Sequence, residues 1–298
     1  MLTRKQKHLR LKFLSMFSVV RGYNILVVIL AQYLSSIYIL SPKKSLYSVV
    51  FDFNLLMLVL ASAVTIASGY IINNFYDSEK DLINRPQKSM LDRLVSQKTK
   101  LLVYFVLNFI AVTMAIFVSF KAFIFFSAYI FGIWLYSHKL KKLPLVGNVT
   151  SAILTITPFF AVFVYYKNFE SVIFVHAVYL FLILSMRELT KDLENIKGDL
   201  ALNYKTIPIV YGEKASKIML SILVLLSLVP TCLLTQMFYV GGMIYFFYAS
   251  VVLLLIFLLL VWRSNKKLHY VILHNILKFI LLAGVVSIIL IDKSVVLN

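Results

Sequence analysis

Residues 53–81 read FNLLMLVLASAVTIASGYIINNFYDSEKD. From Phe53 to Tyr76 there is no charged side chain, and a helix of that length crosses the roughly 30 Å of a bilayer core. The run then turns polar at Asn73, Asn74, Asp77, Glu79 and Asp81. Asn73, Asp77 and Asp81 recur at i, i+4 and i+8, so on a continuing helix they form one stripe that drifts by only about 40° per step. Carboxylates at the end of a membrane helix are costly, which makes them a functional hypothesis by default.

A second cluster repeats the pattern. Residues 187–199 read RELTKDLENIKGD, and Asp192, Asn195 and Asp199 share one helical face at i, i+3 and i+7. The chain has only 12 Asp and Glu in 298 residues, and all but Asp52, Glu170 and Asp292 fall in the segments 77–92 and 188–213. Two such helix ends facing each other would make a polar chamber whose oxygens suit Mg²⁺, an ion content with one or two carboxylates, waters and substrate phosphates. Arg85, Lys88, Arg187, Lys191 and Lys205 stand near the clusters in sequence, Lys141 lies in the basic segment 138–142 between them, and together they supply cations. A site of both signs is what a diphosphate with bridging metal ions requires. The plainer alternative is a set of solvated interfacial ion pairs; matched spacing in two places argues against it.

Outward from the clusters the chain reads as membrane helix. Hydrophobic residues make up 61%, the mean hydropathy is +0.90, and neither fits a soluble domain. Apolar runs at roughly 22–42, 53–76, 101–120, 122–137, 143–166, 171–186, 218–239, 242–262 and 273–291 predict nine spans. The charge-free stretch 218–262 is divided at Gly241-Gly242, and the short runs 122–137 and 171–186 are expected to extend into their polar flanks. The expectation is an all-α, polytopic membrane protein with one integral domain over 1–298. Its basic segment 1–20 is either an amphipathic helix on anionic lipid or a simple topological tail.

A net charge of +18 raises nucleic acid as a partner, but the distribution excludes it. With a cytoplasmic N-terminus and nine spans, only Lys43, Lys44, Lys121, Lys167 and Lys293 of the 30 Lys and Arg fall on the far side. That is the positive-inside asymmetry, and it puts both acidic clusters on the cytoplasmic face. Cys232 is the single cysteine, so no disulfide forms within the chain. His138, His269 and His274 read as interfacial anchors, and Gly198 as a turn or break after the second cluster.

At this point the residues resemble a known family. Asn73-x-x-x-Asp77-x-x-x-Asp81 is similar to the first aspartate-rich motif of the UbiA superfamily of intramembrane prenyltransferases, and the second cluster to its second motif. The strings Asp81-Leu82-Ile83-Asn84-Arg85-Pro86, Leu135-Tyr136-Ser137 with Gly147-Asn148, Arg187-Glu188-x-x-Lys191-Asp192-x-Glu194-Asn195-x-x-Gly198-Asp199 and Lys205-Thr206-Ile207-Pro208 resemble the branch of digeranylgeranylglyceryl phosphate synthases. Arg21 and Asn24 fit the family's first-helix pattern. The departures are Asn74 and Asn195, where Asp is usual, and the loop 88–93.

The resemblance implies a UbiA-like bundle in a bacterial or archaeal-type inner membrane. It implies Mg²⁺-dependent transfer of a prenyl group, geranylgeranyl by preference, from a prenyl diphosphate donor to a lipophilic acceptor such as a prenylglycerol phosphate. Asp77, Asp81, Asp192 and Asp199 would be catalytic. Asn73, Asp77 and Asp81 would hold one ion, and Asp192 and Asp199 with Asn195 the other. Asn24, Asn73, Arg85, Lys88, Tyr136, Lys141, Asn148, Arg187, Lys191 and Lys205 would contact substrate, beside membrane lipid. An aromatic acceptor, a non-enzymatic lipid transporter and a relative that has lost catalysis remain open alternatives.

Overall fold

The computed structural model describes residues 4–291, and among them there is no strand. Nine helical segments are long and apolar enough to cross a membrane, from Gly22–Leu40 to Lys267–Leu290. The chain begins with α1 (Arg4–Val20) and α2 (Gly22–Ser35), the latter continued by a π-helical turn Ser36–Leu40. A short α3 (Leu46–Val50) precedes α4 (Phe53–Tyr76), α5 (Ser78–Asn84) and α6 (Pro86–Asp92). Next come α7 (Gln97–Val118), α8 (Phe120–His138), α9 (Val146–Tyr166) and α10 (Ser171–Glu194). The chain ends in α11 (Ile196–Ala201), α12 (Ile207–Val210), α13 (Gly212–Gln236), α14 (Ile244–Arg263) and α15 (Lys267–Ser287).

The caps follow from sequence. Asp52 Oδ1 accepts the N–H groups of Asn54 and Leu55 at 3.0 and 3.2 Å and starts α4. Ser96 and Ser119 accept from Thr99 and Ala122 and start α7 and α8. Ser119 alone, in extended conformation, separates those two helices. The runs 122–137 and 171–186 do extend: α10 continues to Glu194 and carries Arg187, Lys191 and Asp192 on a rigid element.

Lipid offers no hydrophobic drive between helices, so close approach and internal hydrogen bonds hold the bundle. Ala61, Ala111 and Ala115 are fully buried where α4 packs along α7. Gly69 admits Ile133 of α8, whose Cγ2 lies 3.1 Å from where a Cβ would stand. Pro158, inside α9, cannot bond the carbonyl of Leu154, and the Tyr129 hydroxyl donates to that oxygen at 3.0 Å instead. Gln32 joins three helices by donating to Ser62 and to the Pro158 carbonyl. In the second half α10 packs along α13 and α15, with Ile183, Met186, Leu220, Phe247 and Leu277 in the largest core. The outward faces keep Phe105, Phe109, Leu255 and Leu259 exposed, as a lipid-facing surface requires.

The N-terminal helix is neither a free tail nor a purely surface element. Within α1, Val19 is buried against Ile71, Ile72 and Tyr104, while Phe13 and Phe17 stay exposed.

Candidate active site

Both acidic clusters sit on helices that run on past their apolar spans. The Asp77 N–H bonds Asn73 O at 2.9 Å, Asp81 bonds Asp77 at 2.8 Å and Arg85 bonds Asp81 at 2.7 Å. The i→i+4 ladder therefore passes from α4 through α5, and the predicted stripe exists. The Asn195 N–H bonds Lys191 O and the Asp199 N–H bonds Asn195 O, both at 3.1 Å, so α10 continues into α11 in the same way.

The two ends are clamped. The Gly198 N–H donates to Asn84 Oδ1 at 3.1 Å, and a Cβ on Gly198 would stand 2.3 Å from Asn84 Nδ2. Gly198 is thus not a break after the cluster. It lies inside α11, and its missing side chain lets α5 and α11 touch.

Across this clamp Lys80 of the first cluster reaches Asp199 of the second at 2.6 Å, and Asp199 is fully buried. Thr206 donates to the other Asp199 oxygen at 3.4 Å. Lys141 bridges Asp77 at 2.7 Å and Asn73 at 3.2 Å. The Tyr204 hydroxyl donates to Asp77 at 3.2 Å, and the Lys80 ammonium lies 4.5 Å from the Tyr204 ring centre. Asn148 donates to Asp192 at 2.8 Å, and Asp192 lies within charge range of Asp199. Asp77, Asp199 and Asp192 thus line one buried region together with Lys80, Lys141 and Tyr204.

Burial alone would push the Asp77 carboxyl up, but Lys141, Lys80 and Lys191 outweigh it and hold it below the usual carboxylate range. Asp81 goes the other way, raised by burial and by the charge of Asp77. The Tyr204 phenol is raised by burial and by Asp77.

The remaining predicted residues divide. Asn24 donates to the Tyr70 hydroxyl at 3.0 Å. Tyr136 neighbours Ser151, Lys191 and Glu188. Arg85 pairs with Glu194 at 2.8 Å, Lys88 with Asp92 at 3.4 Å, and Arg187 and Lys191 share Glu188 at 3.5 and 3.0 Å. These four cations therefore form their ion pairs with Glu194, Asp92 and Glu188 and not with Asp77, Asp81, Asp192 or Asp199. Lys205 is exposed, and among the described residues it forms no ion pair; its backbone N–H bonds Lys142 O at 2.9 Å. The turn before α12 leaves Lys205 at the surface.

The two amide departures have structural reasons. Asn74 accepts from the buried Lys100 ammonium at 2.8 Å and donates to Asp92 at 3.1 Å, while Ser18 donates to the same carboxylate at 3.2 Å. A carboxylate at 74 could accept from Lys100 but could only repel Asp92. Asn195 donates its amide to Lys191 O at 2.8 Å, which a carboxylate cannot do, and keeps its Oδ1 for other use.

Among the described residues no three acidic, histidine or cysteine side chains gather tightly enough to hold a metal by themselves. The donor set still fits Mg²⁺ with a phosphate ligand. The buried carboxylates Asp77 and Asp199 each have a lysine ammonium where positive charge is demanded, and carboxylate and amide oxygens are the hard donors this ion takes.

Sequence reasoning missed Lys80, Tyr204, Asn84 and Glu194 as site residues, and it read His274 as an interfacial anchor. His274 is buried, 3.7 Å from Glu194, because α15 starts at Lys267 and draws it into the bundle. Lys278, inside an otherwise apolar run, was the available signal on that helix.

Nine membrane-length apolar helices, with two acidic helix ends that converge, define a polytopic helical membrane protein with a polar site where those ends meet. Comparison with known proteins makes the class specific. The model of the UbiA prenyltransferase family matches residues 25–272, and the chain belongs to that family. The chain is 36% identical over 169 residues to digeranylgeranylglyceryl phosphate synthase of Pyrococcus furiosus, covering 56% of this chain and 60% of the relative. It is 38% identical over 152 residues to the synthase of Thermococcus sibiricus, covering 50% and 54%. The matches thus span less than two thirds of those relatives' length. A solved structure of a digeranylgeranylglyceryl phosphate synthase superposes with a TM-score of 0.72 at 21% identity, covering 94% of this chain and 98% of the other. A UbiA homologue from Archaeoglobus fulgidus bound to GPP and Mg²⁺ superposes with a TM-score of 0.68 at 14% identity, covering 92% and 99%. These likenesses establish the fold.

Proposed function

We propose that the protein transfers a prenyl group, geranylgeranyl by preference, from its diphosphate to the hydroxyl of a prenylglycerol phosphate, forming an ether and releasing diphosphate. The observation that carries this reading is the meeting of the two acidic rims, with Lys80 of one on Asp199 of the other, beside an apolar bundle. The names of the matched relatives and the donor bound in the Archaeoglobus structure support it.

Asn73, Asp77 and Asp81 on one rim, and Asp192 and Asp199 with Asn195 on the other, would hold Mg²⁺. When bound, the ion offsets charge on the departing diphosphate. Lys141 and Lys80 are the cations in place to face the diphosphate oxygens beside it. Asn148 orients Asp192, and the Tyr204 hydroxyl orients Asp77. The donor C–O bond breaks, the ether C–O bond forms, and the acceptor's hydroxyl proton leaves with the diphosphate. The bundle excludes water that would intercept the allylic cation. The positive-inside asymmetry turns the acidic end to the cytoplasm.

The test is product formation by purified protein given geranylgeranyl diphosphate, Mg²⁺ and geranylgeranylglyceryl phosphate. Asp77→Ala and Asp199→Ala are expected to remain folded and lose product by at least about a hundredfold. Full activity in both variants would reject the site.

A further inference from the structure

Behind the acidic stripe of α4 lies a buried polar bridge that the proposed reaction does not use. Lys100 stands in the first turn of α7 and is 1% exposed. The N-terminal end of a helix is already positive, so a buried ammonium there needs an anion. Among the described residues Lys100 forms no ion pair. Its Nζ donates instead to Asn74 Oδ1 at 2.8 Å, and Asn74 Nδ2 donates onward to Asp92 Oδ2 at 3.1 Å. Asp92 is 3% exposed and lies within charge range of Lys100. The Asn74 amide is therefore held between a cation and an anion, its oxygen towards the first and its nitrogen towards the second. Ser18 of α1 donates to the other Asp92 oxygen at 3.2 Å, and Lys88 pairs with Asp92 at 3.4 Å across one turn of α6. Four helices, α1, α4, α6 and α7, meet on this one carboxylate and the amide beside it.

Two departures noted in the sequence, Asn74 and the loop 88–93, are joined by this contact. The negative charge absent at 74 is supplied from 92, and Lys100 stays balanced. A carboxylate at both positions would set two anions in contact, and a carboxylate at neither would strand a buried ammonium. The bridge also sits directly behind the site. Asn74 is one residue, about 100° of helix, from Asn73. Asn73 Oδ1 accepts from Lys141 at 3.2 Å, and the Asn73 carbonyl accepts the Asp77 N–H at 2.9 Å. A rotation or slide of this last turn of α4 moves Asn73 and Asp77 together. The charge-assisted bonds at Asn74 oppose that motion from the other side of the helix.

We propose that Lys100, Asn74 and Asp92 are positioning residues for prenyl transfer, a charge-balanced bridge that fixes the last turn of α4, and through it Asn73 and Asp77, against α6 and α7. The proposal rests on the prenyl-transfer reading. It makes Asp92, a residue outside both motifs, the countercharge of Lys100.

The test is a charge transposition in the full chain in nanodiscs. Asp92→Asn removes the countercharge, Asn74→Asp sets two carboxylates in contact, and Asn74→Asp/Asp92→Asn exchanges the two groups. In the exchanged protein the carboxylate at 74 accepts from Lys100 directly, while the amide at 92 donates to that carboxylate and accepts from Ser18. Melting in EDTA reads the bridge without metal or substrate. The kcat and the KM for geranylgeranyl diphosphate, taken well below the lowest melting temperature, read the positioning. Each single variant is expected to melt lower and to lose kcat about tenfold, the worth of one charge-assisted hydrogen bond, with KM within about twofold of native. The exchange is expected to bring kcat back to within about threefold of native and to recover most of the lost melting temperature. Ser18→Ala keeps every charge and frees one Asp92 oxygen; it is the milder probe where a single variant does not fold, with kcat expected to fall about threefold. Variants that melt lower but keep native kcat make the bridge purely structural and overturn the proposal. An exchanged protein no better than the single variants overturns Asp92 as the countercharge. No transfer by the native protein removes the prenyl-transfer reading, and the positioning role with it, while the melting cycle still reads the charge balance.

Discussion

Replacing Gly198 by Ala puts a methyl group where the two acidic helix ends meet. The new Cβ would lie 2.3 Å from Asn84 Nδ2, 2.7 Å from its Cγ and 2.8 Å from its Oδ1, more than about 1 Å inside ordinary van der Waals contact at the closest atom. Asn84 is buried, so its amide cannot simply swing into solvent. Either the Asn84–Gly198 hydrogen bond breaks or α5 and α11 separate. The stability effect is small, because the lost bond costs about 1 kcal/mol and alanine within a helix gains about as much over glycine. The activity effect is large. Asp199 adjoins the methyl in sequence, and a misplacement of about 1 Å at a reacting site costs roughly a hundredfold. The expected result is a melting temperature in detergent within about 3 °C of native, together with a hundredfold loss of prenyl transfer. Asn84→Ala removes the obstructing amide, so Asn84→Ala/Gly198→Ala is expected to recover part of the loss, a coupling that a double-mutant cycle reads directly. Gly198→Ala with activity within threefold of native would refute the clamp.

Further outcomes follow from the same region. Lys80→Met removes the 2.6 Å partner of the fully buried Asp199 and is expected to destabilise the metal-free protein by about 3–5 kcal/mol; an unchanged melting temperature in EDTA would count against the pair. Asp81 is raised by burial and by Asp77, so its ionised form opposes folding at neutral pH. Asp81→Asn should therefore raise the melting temperature in EDTA at pH 7 while abolishing any stabilisation by Mg²⁺, and a lower melting temperature in EDTA would contradict this. Asp77 is depressed, so its contribution is complete above the unfolded value of about 3.9 and fades as pH falls through its lower folded value; Asp77→Asn should flatten the acid limb of a melting curve measured in EDTA. Chelation of divalent cations is expected to stop product formation, and added Mg²⁺ to restore it.

The legible part of this protein is what a helix encodes locally. Charge-free runs announced the spans, the scarcity of Asp and Glu made two clusters conspicuous, and the spacing of Asn73, Asp77 and Asp81 placed them on one face, where the backbone ladder through α5 keeps them. Helical period and bilayer thickness suffice for each of those readings, since both act within one segment. What a cluster residue touches depends on the opposing helix and is set by tertiary packing alone. Lys80 reaching Asp199, Lys100 explaining an amide at Asn74, and Arg85 pairing with Glu194 each join segments far apart in the chain. Lys205 shows the converse, a residue near a cluster in sequence that a single turn leaves in the open. Sequence determined which charges enter the membrane protein's polar end; packing decided which partner each of them meets, because pairing energy follows distance in space and not separation along the chain.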